Sequence, residues 1–216
     1  MVTDDDGSPA AGLRERKKRE TRDALSAAAI GLIVERGWSA VTIEDIAAAA
    51  NVSVRTFRNY FSGKAEAVAA RHVDRMRRIA DGLRARPADE PLWDAVAAAV
   101  QEQFAPRADV PDRADVPDGA DARRRADGVR LMLTEPALAG ELAKAHAAAE
   151  AELAAAIAER TGTDPGRDLY PGLAAAVLGA AVGAAVAHSL RGERPVPAGP
   201  VLREALERLA AGLPTP

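Results

Sequence analysis

An all-α fold follows from three features of this chain. Apolar residues recur at i, i+3, i+4 and i+7 along most of it, the period of a one-sided helix. No stretch of useful length alternates apolar and polar residues as a half-buried strand would. The downstream half is largely Ala, Leu and Val, and five of the seven aromatics (Trp38, Phe57, Tyr60, Phe61, Trp93) fall between 38 and 93. That composition favours close-packed helices. A chain of 216 residues can bury roughly 70% of its unfolded surface, so it needs no metal or disulfide staple. It contains no cysteine, which excludes a disulfide framework, a thiolate metal site and a Cys nucleophile. The start, MVTDDDGSPAAG, is acidic and lacks an apolar run, so it does not read as a secretory signal.

Residues 1–12 are expected to be a disordered tail. The first helix should begin between Leu13 and Thr21 and run to Arg36, with Gly37 as its C-terminal cap. Its core stripe is Leu25, Ala28, Ala29, Leu32 and Ile33. Its first turns carry Arg14, Arg16, Lys17, Lys18, Arg19 and Arg22 with Glu15 and Glu20 mixed in, a pattern that an ordinary solvated helix end also shows. Thr42–Lys64 then reads as two short helices joined by a tight turn. Thr42 caps the first, and Asp45 three residues on completes a capping box. Ile43, Ile46, Ala47 and Ala50 form its apolar stripe. Asn51 falls where the chain must turn, and Asn tolerates the left-handed conformation well. Ser53 caps the second short helix. Val54, Phe57 and Phe61 bury one side of it, while Arg55, Arg58 and Asn59 share the other, beside Thr56 and Tyr60. No acid occurs from Asn51 to Ala65. A short helix with an aromatic inner face and a basic, amide-bearing outer face suits the major groove of DNA.

Farther on, a helix from Gly63–Lys64 to about Arg84 carries the stripe Val68, His72, Met76, Ile79, Leu83. His72 reads there as a packed histidine. Pro87 and Pro91 separate it from a helix over 91–104. The segment 106–121 repeats ADVPD at 108–112 and 114–118 and is expected to be a flexible loop. Helices follow over about 122–133, 136–160, 169–190 and 201–213, the first of these gaps closed by Pro136 and the next by Thr161–Pro165. Two domains are expected: 13–64 for DNA binding, and 65–216 for ligand binding and dimerisation.

Charge is distributed unevenly. Arg14–Lys64 contains ten Lys and Arg against six Asp and Glu, a net +4, which leaves −7 for the rest of a chain whose total is −3. An acidic remainder should keep the second domain off the DNA backbone.

The N-terminal quarter resembles the DNA-binding domain of the TetR family of bacterial transcriptional repressors. The matching residues are Glu35-Arg36-Gly37-Trp38, Thr42-Ile43-Glu44-Asp45-Ile46-Ala47, Val52-Ser53, Thr56-Phe57, Tyr60-Phe61 and Lys64. Asn51 stands where the family usually has Gly, and Gly63 where it usually has Ser. From Arg130 to Pro165 the chain is also similar to the subgroup with an acyl-CoA-type ligand-binding domain, on Arg130, Leu133, Pro136-Ala137-Leu138, Glu150, Leu153-Ala154, Arg160, Gly162 and Asp164-Pro165. The resemblance implies a ligand-responsive repressor, working in the bacterial cytoplasm on the nucleoid as a homodimer on a pseudo-palindromic operator. It implies DNA contacts by Thr42, Ser53, Arg55, Thr56, Arg58, Asn59, Tyr60 and Lys64. Lys64 sits in a first helical turn, where the macrodipole disfavours a cation, and a phosphate partner would account for it.

A lipophilic, acyl-type effector is expected in a pocket walled by Trp93, with Val96, Val100 and Phe104 on the same stripe and Met76, Ile79, Leu131 and Met132 facing it. Those stripes are equally what a plain core produces. The uncharged run Gly172–Ala187 is short and mostly Ala and Gly, so a fully buried helix is expected rather than a membrane span. Gly179 and Gly183, with Leu202 and Leu206 on the last helix, are the expected dimer interface. No cofactor, metal or catalytic residue is expected: His72, His146 and His188 are scattered, and His146 with Glu150 is too little for a metal site. The alternative reading is a non-specific or architectural DNA binder, for which basic charge should spread over the whole chain.

Overall fold

The computed structural model describes residues 9–104, 120–191 and 196–212. Among them the chain forms nine helices and no strand: α1 (Pro9–Arg36), α2 (Ile43–Ala49), α3 (Val54–Tyr60), α4 (Lys64–Ala85), α5 (Leu92–Phe104), α6 (Ala120–Leu133), α7 (Pro136–Thr161), α8 (Leu169–Ser189) and α9 (Ala198–Ala210). Helix α1 begins at Pro9, ahead of the start expected between Leu13 and Thr21. Proline is tolerated at a first helical position and the alanines behind it are strong helix formers. The ADVPD repeats lie outside the described residues.

Two apolar cores organise the helices. The first gathers Leu25, Ala29 and Ile33 of α1, Val41, Ile46 and Ala47, Phe57 and Phe61, the α4 residues Ala67 to Ala70 with Val73, and Met132, Leu138 and Ala145. The second joins Met76, Ile79, Ala80 and Leu83 of α4 to α5, to Ala149–Ile157 of α7, to α8 and to α9. Helices α4 and α7 therefore belong to both. Ser26, buried on α1, donates to the Ala67 carbonyl at 2.6 Å, which fixes α1 against α4. Arg22 adds an ion pair to Asp74 at 3.4 Å and lies 4.7 Å over the Phe61 ring.

Helix α6 crosses the C-terminal part of α1 at close range. A Cβ added to Gly128 would stand 2.3 Å from the Val34 carbonyl oxygen, so only glycine permits this approach. At the far end of α7, Arg160 donates to the carbonyls of Pro87 (2.5 Å) and Glu90 (2.7 Å). It ties the α4–α5 turn to the last turn of α7, which Gly162 closes at φ 67°.

Helix α8 departs from the expected full burial. Its 21 residues are long and apolar enough to cross a membrane by length and composition, longer than the uncharged run alone suggested. Ala174, Ala175, Leu178, Val182 and Ala185 pack inward, while Leu169 (80% exposed), Leu173 (53%) and Tyr170 (44%) face out. Ala180, Ala184 and Ala187 are exposed in the same sector.

Candidate DNA-reading face and ligand groove

The helix-turn-helix is built from its caps outward. The Thr42 hydroxyl accepts from the Asp45 amide at 3.2 Å and donates to Asp45 Oδ2 at 2.7 Å, while the Thr42 amide donates to the same oxygen at 2.9 Å. These hydrogen bonds, with the Arg36 charge adding to them, hold the Asp45 carboxyl below the ordinary aspartate range. Asn51 turns the chain at φ 54°, the one non-glycine residue with positive φ among those described. Ser53 Oγ accepts from the Thr56 amide at 3.0 Å and shares a 2.8 Å bond with Thr56 Oγ1.

Phe57 and Phe61, 5.8 Å apart between ring centroids, anchor α3 from within. Arg55, Arg58 and Asn59 are exposed on its opposite side, with Thr56 and Tyr60 half-buried at its flank. A two-sided helix is what that spacing dictates. The structure thus brings Arg55, Arg58 and Asn59 onto one free surface.

Lys64 has internal partners that sequence reasoning missed. Its Nζ donates to the carbonyls of Trp38 at 2.5 Å and Val41 at 2.9 Å and lies 4.8 Å from the Trp38 ring centroid. The ammonium closes the turn between α1 and α2, and those carbonyls offset its unfavourable position in the first turn of α4. Nothing in sequence spacing links residues 26 positions apart.

The expected pocket is assembled differently. A half-open groove of about 310 Å³ runs between α7 and α8 with α4 beneath, lined by His72, Met76, His146, Ala149, Glu150, Leu153, Ala176, Gly179, Ala180 and Gly183. Of the expected lining residues only Met76 borders it. Ile79, Val96 and Val100 are packed in the second core, with Trp93 and Phe104 partly buried against it. The Phe104 ring lies under the Arg75 guanidinium at 4.6 Å. Leu131 is 71% exposed, and Met132 belongs to the first core instead. Adjacent positions on α6 are turned about 100° apart around the helix axis, which leaves Leu131 outside while Met132 enters the core.

The expected dimer residues divide as well. Gly179 and Gly183 border the groove, and a Cβ on either would meet nothing within 4 Å. Leu202 and Leu206 are 1% and 4% exposed inside the subunit, because α9 turns its leucine face onto the second core. Among the described residues, the outer row of α8 is an exposed apolar surface. Sequence reasoning also missed the meeting of His72 and His146, whose rings stand at 77° with centroids 4.4 Å apart. Burial, then the nearby charges of His146 and Arg75, lower His72 to about 4. The i, i+4 pair His146 and Glu150 was a partial signal, but their proximity to His72 exists only in the folded chain.

A doubly capped helix-turn-helix with a bare basic outer face, set on an all-helical scaffold, defines a DNA-binding transcriptional regulator. The chain belongs to the TetR family: residues 25–70 match the family of tetR bacterial regulatory proteins, and residues 90–214 match the MftR C-terminal domain. It is 31% identical over 174 residues to the HTH-type transcriptional regulator TcmR of Streptomyces glaucescens, spanning 77% of this chain and 72% of TcmR. Its fold is similar to that of a protein described as a TetR-family regulator from Rhodococcus sp. (TM-score 0.55, 22% identity, 91% of this chain and 100% of that one). It is similar also to the fatty acid degradation regulator FadR from Bacillus halodurans (TM-score 0.55, 16% identity, 89% and 99%). The N-terminal helices are accordingly the DNA-binding part, and the C-terminal helices the ligand-binding part.

Proposed function

We propose that this protein is a cytoplasmic repressor that binds a pseudo-palindromic operator as a homodimer and leaves it when a lipophilic effector occupies the groove beside Met76. The observation that carries the reading is the free outer face of α3. Arg55, Arg58 and Asn59 take no part in the core and are the residue types that read guanine and adenine edges. Thr42, Ser53, Thr56, Tyr60 and Lys64 position the domain on phosphates, Lys64 through the proton its two carbonyl partners leave free.

Two-fold pairing uses the outer row of α8. Leucines occupy its N-terminal half and alanines its C-terminal half, so two antiparallel copies place Leu169 against Ala184 of the other and Leu173 against Ala180, a residue shared with the rim of the groove. That large-against-small complementarity is self-matching, as an isologous interface requires. A dimer of this kind binds a pseudo-palindrome when its two copies of α3 stand about 34–36 Å apart. FadR is named a regulator of fatty acid degradation, which agrees in kind with a lipophilic effector. Occupancy of the groove, whose floor is α4, shifts that helix and with it the two reading heads.

Genomic footprinting with the purified protein supplies the operator, and the variants then test the face. Arg58→Ala should weaken cognate operator binding by about 1–3 kcal/mol while leaving random DNA nearly unaffected. Lys64→Ala should weaken all DNA alike and reduce the salt slope by about one, with a fall in melting temperature from the lost carbonyl contacts. Equal losses on every sequence for both variants would transfer support to the non-specific binder.

A further inference from the structure

The groove between α7 and α8 has a polarity that an apolar ligand does not account for. On its α8 side stand only Ala176, Gly179, Ala180 and Gly183, and its floor is Met76, Ala149 and Leu153. All of its polar side chains gather on the α4 and α7 side: His72, His146 against it at 4.4 Å, and Glu150 one turn further along α7. His146 and Glu150 are exposed and His72 is half-buried, so these groups meet the groove and its solvent and are not sealed off. His72, held neutral at pH 7 by burial, has one donor and one acceptor nitrogen. An ionised glutamate is acceptor-only. No lysine or arginine lines the groove, and the nearby Arg75 guanidinium is stacked on Phe104.

We propose that His72, His146 and Glu150 form the head-group subsite of the effector site, and that it takes a lipophile whose polar end is a hydrogen-bond donor, a hydroxyl or an ammonium, in preference to a carboxylate. The proposal rests on the ligand-responsive reading above. A donor head satisfies Glu150 and an imidazole acceptor together while the chain lies on Met76 and Leu153. A carboxylate head would instead bring a second negative charge beside Glu150.

Isothermal titration of the full-length protein with octylammonium, 1-octanol and octanoate, which share a chain and differ in the head, tests this. Octylammonium and octanol should bind, and octanoate should bind at least about tenfold more weakly, equivalent to 1.4 kcal/mol. Glu150→Gln, at an exposed helical position, should reduce the preference of octylammonium over octanoate by about tenfold. His72→Leu with His146→Leu should weaken octanol, and Glu207→Gln on the outer face of α9 should change nothing. Octanoate binding as tightly as octylammonium, an unchanged ratio in Glu150→Gln, an equal change in Glu207→Gln, or no binding of any probe overturns the assignment. Operator affinity measured in the same samples separates the two readings. Probes that bind in the expected order without weakening the operator complex support the subsite and count against effector-driven release.

Discussion

Asn51 shows how much one dihedral angle decides. Its φ of 54° is a conformation that costs a β-branched residue about 1–2 kcal/mol and glycine nothing. Asn51→Gly should leave the melting temperature equal or slightly raised, whereas Asn51→Val should lower stability by about that amount in urea unfolding. This residue was legible in the sequence because turn chemistry is local. His72 was not, since its environment comes from α7. Its folded-state value, lowered from 6.5 to about 4, means that the unfolded chain takes up the proton first. The stability it contributes is present above pH 6.5 and is lost as pH falls toward 4. Because the ring is part-exposed, the loss should be on the order of 1–2 kcal/mol. His72→Leu should therefore show a flatter melting-temperature profile than the parent between those pH values, and parallel profiles would remove burial as the cause.

At the scale of elements, periodicity and punctuation located eight of the nine helix starts closely. Thr42 and Ser53 cap the helices that follow them, Pro136 is the first residue of α7, and Gly37 and Gly162 close α1 and α7 at φ 85° and 67°. Which helix meets which was not legible, because contact depends on the depth of facing surfaces. The approach of α6 to α1 illustrates this: Gly128 sits in an ordinary helical pattern, and only the 2.3 Å clearance to the Val34 carbonyl reveals its role. Gly128→Ala should force α6 outward and destabilise the protein by about 1–3 kcal/mol, against the slight gain that alanine brings inside an unobstructed helix. Chemical denaturation gives the sign directly. The reversed fates of α8 and α9 have a similar origin. Both show a repeating apolar row, but the leucines of α9 are needed to cover α5 and α8, while among the described residues the alanine-rich outer row of α8 has no internal partner.

For the whole molecule, the proposed pairing through that row has a direct consequence. Leu173→Glu would bury a charge at the two-fold contact, so light scattering should report a monomer, and operator affinity should fall as the second reading head is lost. An unchanged mass would move the interface elsewhere. The division of the chain into a DNA-binding stretch ending near Lys64 and a remainder was read from charge and motif, and the packing is less divisible. Ala67 to Ala70 and Val73, all beyond Lys64, cover Leu25, Ala29, Phe57 and Phe61, and the same helix continues into the second core. A headpiece truncated at residue 64 would expose that apolar face to water and lose the Ser26 anchor on Ala67. The reading module of this protein is therefore not a detachable cassette. Any minimal fragment or chimera must keep α4 at least through Val73, and grafting a foreign recognition surface calls for exchanging outer side chains of α3 in place.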